Sequence, residues 1–139
     1  MESFRFCHQL RVRYSEIDGQ KIVFNANYMT YYDTAIDEYF KNVLGHYWDE
    51  PIDGVELVLV RSEVDYKSPA RLHDLLNVYC RIISFGKSSL EAEFHLTRAD
   101  DEQILSVARH VYVMYNLESG KSSLIPAGVM AKLREFEGI

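Results

Sequence analysis

Residues 27–44 carry the pattern that most restricts the fold of this chain. Tyr28, Tyr32, Ala35, Ile36, Tyr39, Phe40 and Val43 recur at helical spacing, while Asp33, Asp37 and Lys41 fall off the stripe. A stripe so broad and aromatic predicts one long, centrally buried helix. Asn25 or Asn27 is placed to cap its start and Gly45 to end it. Five of the ten tyrosines lie between Tyr28 and Tyr47, which reads first as core packing and subunit contact.

The segments around that helix alternate instead. Residues 4–14 place Phe4, Phe6, Leu10, Val12 and Tyr14, with His8 among them, on one face and Arg5, Gln9, Arg11 and Arg13 on the other. Residues 56–67 put Val58, Val60, Val64 and Tyr66 together. Residues 75–85 and 104–115 are apolar on both faces, and 89–97 turn Leu90, Ala92, Phe94 and Leu96 inward. The turns Phe85-Gly86-Lys87-Ser88 and Arg98-Ala99-Asp100-Asp101 suit antiparallel hairpins. Pro126 fits the first position of a short last helix carrying Val129, Met130, Leu133 and Phe136 on one side. The order strand, helix, four strands, short helix predicts an α+β fold in which an antiparallel sheet wraps the long helix. Strands apolar on both faces need a second cover, so a homo-oligomer is expected.

The chain has 139 residues, three prolines and seven glycines, with no low-complexity run or linker, and one domain over 1–139 is expected. A net charge of −6 without a basic stripe argues against a nucleic-acid surface. No apolar run approaches the ~18 residues that cross a bilayer. Residues 1–5 lack the apolar core of a signal peptide, so a cytoplasmic location is expected. Cys7 and Cys80, far apart and without metal-ligand spacing, read as reduced core residues, and the scattered histidines suggest no metal.

Ahead of the helix, Glu16-Ile17-Asp18-Gly19 turns the chain into Ile22-Val23-Phe24-Asn25-Ala26-Asn27-Tyr28. That brings the Asp18 carboxylate near a helix N-terminus, whose unpaired N–H groups and positive dipole end can stabilise an oxyanion. Taken alone, Asp18-Gly19 is equally an ordinary turn.

Tyr14, Glu16, Asp18, Ile22-Val23-Phe24 and Asn27-Tyr28 together resemble the hotdog-fold acyl-CoA thioesterases, in the branch of 4-hydroxybenzoyl-CoA thioesterase and short bacterial acyl-CoA thioesterases. Tyr66-Lys67-Ser68-Pro69-Ala70 with Asp74, Gly86-Lys87-Ser88-Ser89 and Ile125-Pro126 extend the likeness over nearly the whole chain. Two positions depart from the family pattern. Lys21 stands where a glycine is usual, so the loop after Asp18 is expected to run differently, and Asn25 stands where many relatives have His or Tyr.

The resemblance implies hydrolysis of an acyl-CoA to free acid and coenzyme A, with no cofactor beyond the coenzyme A of the substrate. It makes Asp18 the nucleophile or the base for water, and the Asn25 N–H the oxyanion donor. Tyr28, with Tyr31, would line an acyl pocket. Lys67, Arg71 and Lys87 would meet the nucleotide phosphates, with Ser88 and Ser89 assisting. Glu16 reads as structural. The site is expected at the interface of a homodimer or a dimer of dimers. The competing reading is a non-catalytic hotdog module that binds acyl-CoA or simply assembles.

Overall fold

The computed structural model describes residues 1–139. In chain order the elements are β1 (Cys7–Arg11), α1 (Asn27–Leu44), β2 (Val55–Tyr66), β3 (Leu75–Phe85), β4 (Ser89–Arg98), β5 (Ile104–Asn116), β6 (Lys121–Ser122) and α2 (Ala127–Glu137). They build one antiparallel sheet in the order β1-β3-β4-β5-β2, with the short β6 beside β5. The middle strand is therefore β4, while β1 and the twelve-residue β2 form the edges.

The sheet wraps α1, as the helical stripe requires. Tyr28, Tyr31, Tyr32, Ala35, Ile36, Tyr39, Phe40 and Leu44 are buried. They meet an inner face of Leu76, Val78, Cys80 and Ile82 from β3 and Leu90, Ala92, Phe94 and Leu96 from β4, all buried. Each large side chain removed from water here contributes about 1.5–3 kcal/mol. The helix stops where Gly45 turns left-handed at φ 89° and its N–H caps the Lys41 carbonyl. Along α1 runs α2, which sets the Phe136 ring edge-on to Tyr39 and its Glu137 carboxylate on the Tyr39 hydroxyl at 2.6 Å.

Several local expectations fail for identifiable reasons. The first strand ends at Arg11, and Tyr14 opens a 3-10 turn, 80% exposed rather than inward, because the Glu16 N–H closes on the Arg13 carbonyl. In β2 the pairing slips between Leu59 and Arg61, a bulge at Val60 that turns Val58 outward while Val64 still packs on the core. Neither Asn25 nor Asn27 caps α1 through its side chain. The N-cap position is Ala26, and the Asn27 amide donates to the Glu16 carbonyl. Pro126 stands at the N-cap of α2, one place before the expected first turn. Cys7 is exposed, Cys80 is buried, and both thiols are free.

One buried group has a measurable consequence. His110 on β5 is fully buried among the rings of Tyr32, Phe94 and Tyr112, and its Nε2 has no hydrogen-bond partner. Burial lowers its pKa from 6.5 to about 4. Between those values the unfolded chain binds a proton that the folded chain refuses, so stability is complete above pH 6.5 and drains as pH falls toward 4. Chemical denaturation between pH 7 and 4 is expected to show a loss that reaches about 3 kcal/mol, and His110→Gln should flatten it.

Candidate active site

The chain leaves β1 and folds the loop 17–23 into a small hairpin. Ile17 and Val23 form an isolated bridge, the Asp18 N–H donates to the Ile22 carbonyl at 2.9 Å, and the Lys21 N–H returns to the Asp18 carbonyl at 2.9 Å. Asp18 thus starts the tight turn. Its Oδ1 accepts the Gln20 N–H at 2.7 Å. Oδ1 is held by the loop, and Oδ2 has no partner within the chain.

Lys21 adopts φ 63°, the left-handed backbone that glycine takes without strain. The missing glycine is therefore absorbed as local strain of about 1–2 kcal/mol, and the hairpin closes around a lysine.

Glu16 has the structural part that its sequence position suggested. Its carboxylate is buried and accepts the Arg13 N–H at 2.8 Å, the Arg13 guanidinium at 2.9 and 3.1 Å, and the Tyr31 hydroxyl at 3.0 Å. Its carbonyl accepts the Phe24 N–H at 2.9 Å and the Asn27 amide at 2.8 Å. One residue therefore ties the Asp18 hairpin to the start of α1. Burial raises the Glu16 pKa, but the bonds from Arg13 and Tyr31 outweigh it and hold the carboxyl below its usual range. The Arg13-x-x-Glu16 spacing was the legible signal. Glu16→Ala leaves the Tyr31 hydroxyl buried without a partner and should cost about 3 kcal/mol in denaturant titration. The stability that this carboxylate contributes is present above its unfolded pKa and lost as pH falls through the lowered folded one.

At the start of α1 the N–H groups of Asn25 and Ala26 have no backbone acceptor, while the Asn25 carbonyl accepts the Tyr28 N–H at 3.2 Å and the Tyr66 hydroxyl at 3.3 Å. Beside them lies a pocket of about 400 Å³ lined by Ile22, Val23, Asn25, Tyr28, Tyr66, Lys67, Ser68 and Pro69. Asp18 stands one backbone rung from this wall, opposite Ile22. Tyr28 is buried, with its ring edge-on to Tyr66 and its hydroxyl accepting the Ala70 N–H at 3.2 Å. Tyr66 and Ser68 were not singled out as site residues from sequence, because their pocket forms only when β2 ends beside α1.

The loop after β2 is braced from β4. Arg98 bonds Asp74 at 3.1 Å and the Pro69 carbonyl at 3.1 Å, and Asp74 in turn accepts the Arg71 N–H at 2.9 Å. Arg71 also bridges Ile22 through the backbone. So Asp18, Asn25, Tyr28, Lys67 and Arg71 gather at one end of the sheet.

Lys87, Ser88 and Ser89 do not join them. They lie past the far end of β3, an eleven-residue strand that spans roughly 35 Å. Within one chain these two groups cannot touch the same thioester carbonyl. No three His, Cys, Asp or Glu side chains are grouped to hold a metal.

The sequence matches the model of the thioesterase-like superfamily over residues 12–133, which include every residue of this site. The chain belongs to that family. Among its relatives, this thioesterase-like chain is 25% identical over 137 residues to the acyl-CoA thioester hydrolase YbgC of Escherichia coli O6:H1, covering 97% of this chain and 100% of that one. A thioesterase of Thermus thermophilus, solved with coenzyme A and Zn, is 28% identical with TM-score 0.82, covering all of this chain and 98% of its own. The 1,4-dihydroxy-2-naphthoyl-CoA thioesterase of Synechocystis shares the fold at 19% identity and TM-score 0.85, over 92% and 94% of the two chains. The sheet wrapped around one long helix is thus the hotdog arrangement of thioesterases. No helix is long and apolar enough to cross a membrane.

Proposed function

We propose that this chain hydrolyses an acyl-CoA thioester to a carboxylic acid and coenzyme A at the Asp18 hairpin. Family membership supports thioester hydrolysis as the reaction class. The observation that carries the site is the pairing of a carboxylate with one free oxygen, Asp18, and two unpartnered N–H groups at the start of α1, on either side of Ile22 and Val23.

The thioester carbonyl oxygen sits at the Asn25 N–H, where the helix dipole favours the negative charge that develops there. Asp18 either attacks the carbonyl carbon or takes a proton from an attacking water. In the first route the C–S bond breaks, thiolate leaves, and water then opens the mixed anhydride. In the second, hydroxide adds directly and thiolate leaves with the proton. Both consume one water and release one acid and one thiol.

The pantetheine arm runs through the Tyr28–Tyr66 pocket, and Lys67 in its lining and Arg71, bridged to the lining residue Ile22, meet phosphate charge. The contribution of Lys87, Ser88 and Ser89 comes from a second copy, whose far sheet end is brought to this pocket. The long edge strand β2 supports such a dimer. One edge of β2 is unpaired, and Val58, Leu59 and Val60 on this strand are exposed. An open groove of about 440 Å³ between Leu57 and α1, floored by Phe40 and Trp48, gives a partner or an acyl group further surface.

Thiol release across short, medium, long and aryl acyl-CoAs tests the reading. Turnover above buffer on at least one substrate is expected. Binding of acyl-CoA without thiol release from any of them would instead favour a non-catalytic binding module.

A further inference from the structure

Tyr28 is buried, yet its hydroxyl is only half used. The oxygen accepts the Ala70 N–H at 3.2 Å, and the O–H has no acceptor within the chain. Burial raises the Tyr28 pKa and outweighs the opposing Ala70 N–H, so the group keeps its proton at neutral pH. A buried donor that meets nothing costs free energy. Beside it lies the pocket, which Tyr28 lines together with Asn25, Tyr66, Lys67, Ser68 and Pro69.

Behind the hydroxyl stands a cation. The Arg98 guanidinium, at the end of β4, is held by Asp74 at 3.1 Å and Asp101 at 2.9 Å. Its Nη2 donates to the Pro69 carbonyl at 3.1 Å. That carbonyl and the Ala70 N–H belong to one peptide group. A hydrogen bond received by a peptide carbonyl strengthens what its N–H donates, and a hydroxyl whose oxygen accepts donates more strongly in turn. Arg98, the Pro69–Ala70 peptide and Tyr28 therefore form one chain of donors with a positive charge at its head.

We propose that the Tyr28 hydroxyl donates to the carbonyl oxygen of the first amide of the pantetheine arm, and that Arg98 is a positioning residue that holds and strengthens this donor through the Pro69–Ala70 peptide. The proposal deepens the acyl-CoA reading and rests on it. With the thioester carbonyl at the start of α1, that amide is the first polar group on the thiol side, just beyond the short ethylene link to the sulfur. Its uncharged acceptor suits a neutral hydroxyl in a pocket half lined with apolar side chains. Lys67, the cation of the same lining, is left for phosphate. No covalent bond changes at Tyr28. The hydrogen bond fixes the arm, and with it the sulfur, relative to Asp18.

Thioesters of one straight-chain acid with different thiols test this, read as kcat/KM from thiol release. Coenzyme A and N-acetylcysteamine carry the amide, and ethanethiol does not. Tyr28→Phe should lower kcat/KM about tenfold on the amide-bearing thioesters and stay within about twofold of wild type on the ethyl thioester. Arg98→Met should lower the amide-bearing pair by roughly threefold and add nothing to Tyr28→Phe on them. A loosened loop slows every thioester alike, so the ratio between amide-bearing and amide-free substrates separates the hydrogen bond from a change of fold. Arg98→Met leaves the Tyr28 hydroxyl in place and supplies that ratio where Tyr28→Phe does not fold. Equal losses on all the thioesters, or an amide-selective Arg98→Met loss that persists in full beside Tyr28→Phe, would overturn the proposal and leave thioester hydrolysis standing. A wild type that releases thiol from none of them would instead remove the acyl-CoA reading, and this proposal with it.

Discussion

Asp18→Asn is expected to lower kcat for acyl-CoA hydrolysis by about 10³-fold and leave KM within a few-fold. An amide neither attacks a carbonyl nor takes a proton from water, so both routes open to Asp18 are closed by the one change. The substitution is otherwise mild. The asparagine carbonyl can still accept the Gln20 N–H that Oδ1 now holds at 2.7 Å, and the backbone pairing with Ile22 is untouched. Hairpin and pocket should therefore keep their shape. Circular dichroism and an unchanged melting temperature would show that the loss is chemical. A variant as fast as wild type would remove Asp18 from the mechanism.

The second large effect separates a backbone donor from a side chain. Asn25→Pro deletes the N–H assigned to the oxyanion and nothing that the fold uses, because that N–H has no backbone acceptor within the chain. Proline is tolerated ahead of a helix for the same reason. The expected loss is about 10²–10³ in kcat, the usual worth of one oxyanion donor. Asn25→Ala keeps the N–H and should stay within about threefold of wild type. If the alanine variant loses as much as the proline variant, the asparagine side chain is the working group and the helix-terminus account fails.

Much of the fold was legible because burial in this chain is periodic. The stripe from Tyr28 to Phe40 and the alternation of Leu90, Ala92, Phe94 and Leu96 both report one buried face, and the structure buries all of them. The misreadings sit where a single local contact overrides the period. Tyr14 continues the alternation of β1 but is lifted out by the Arg13–Glu16 turn. Val58 continues the alternation of β2 but is reversed by the Val60 bulge, which no residue type announces. The site was legible in part. Asp18, Asn25, Tyr28, Lys67 and Arg71 converge because they flank consecutive turns at one end of the sheet. Glu16 was harder to value, since its importance lies in bonds to Arg13, Tyr31, Phe24 and Asn27 that exist only once hairpin and helix meet. The position of Lys87, Ser88 and Ser89 at the far end of β3 follows from strand length alone, yet sequence likeness grouped them with the rest.

Lys21 stands where the family pattern has glycine, and at φ 63° it adopts a backbone conformation that glycine takes without strain. The hairpin that carries Asp18 closes around it through the Asp18–Ile22 and Lys21–Asp18 backbone bonds.

The most direct test of the central claim is a crystal structure of Asp18→Asn with an intact acyl-CoA. The thioester carbonyl oxygen is expected within hydrogen-bond distance of the Asn25 N–H, with the carbonyl carbon beside the residue 18 side chain and the pantetheine arm against Tyr28 and Tyr66. A thioester seated away from the start of α1, for instance in the groove beside Asp33 and Leu57, would contradict it.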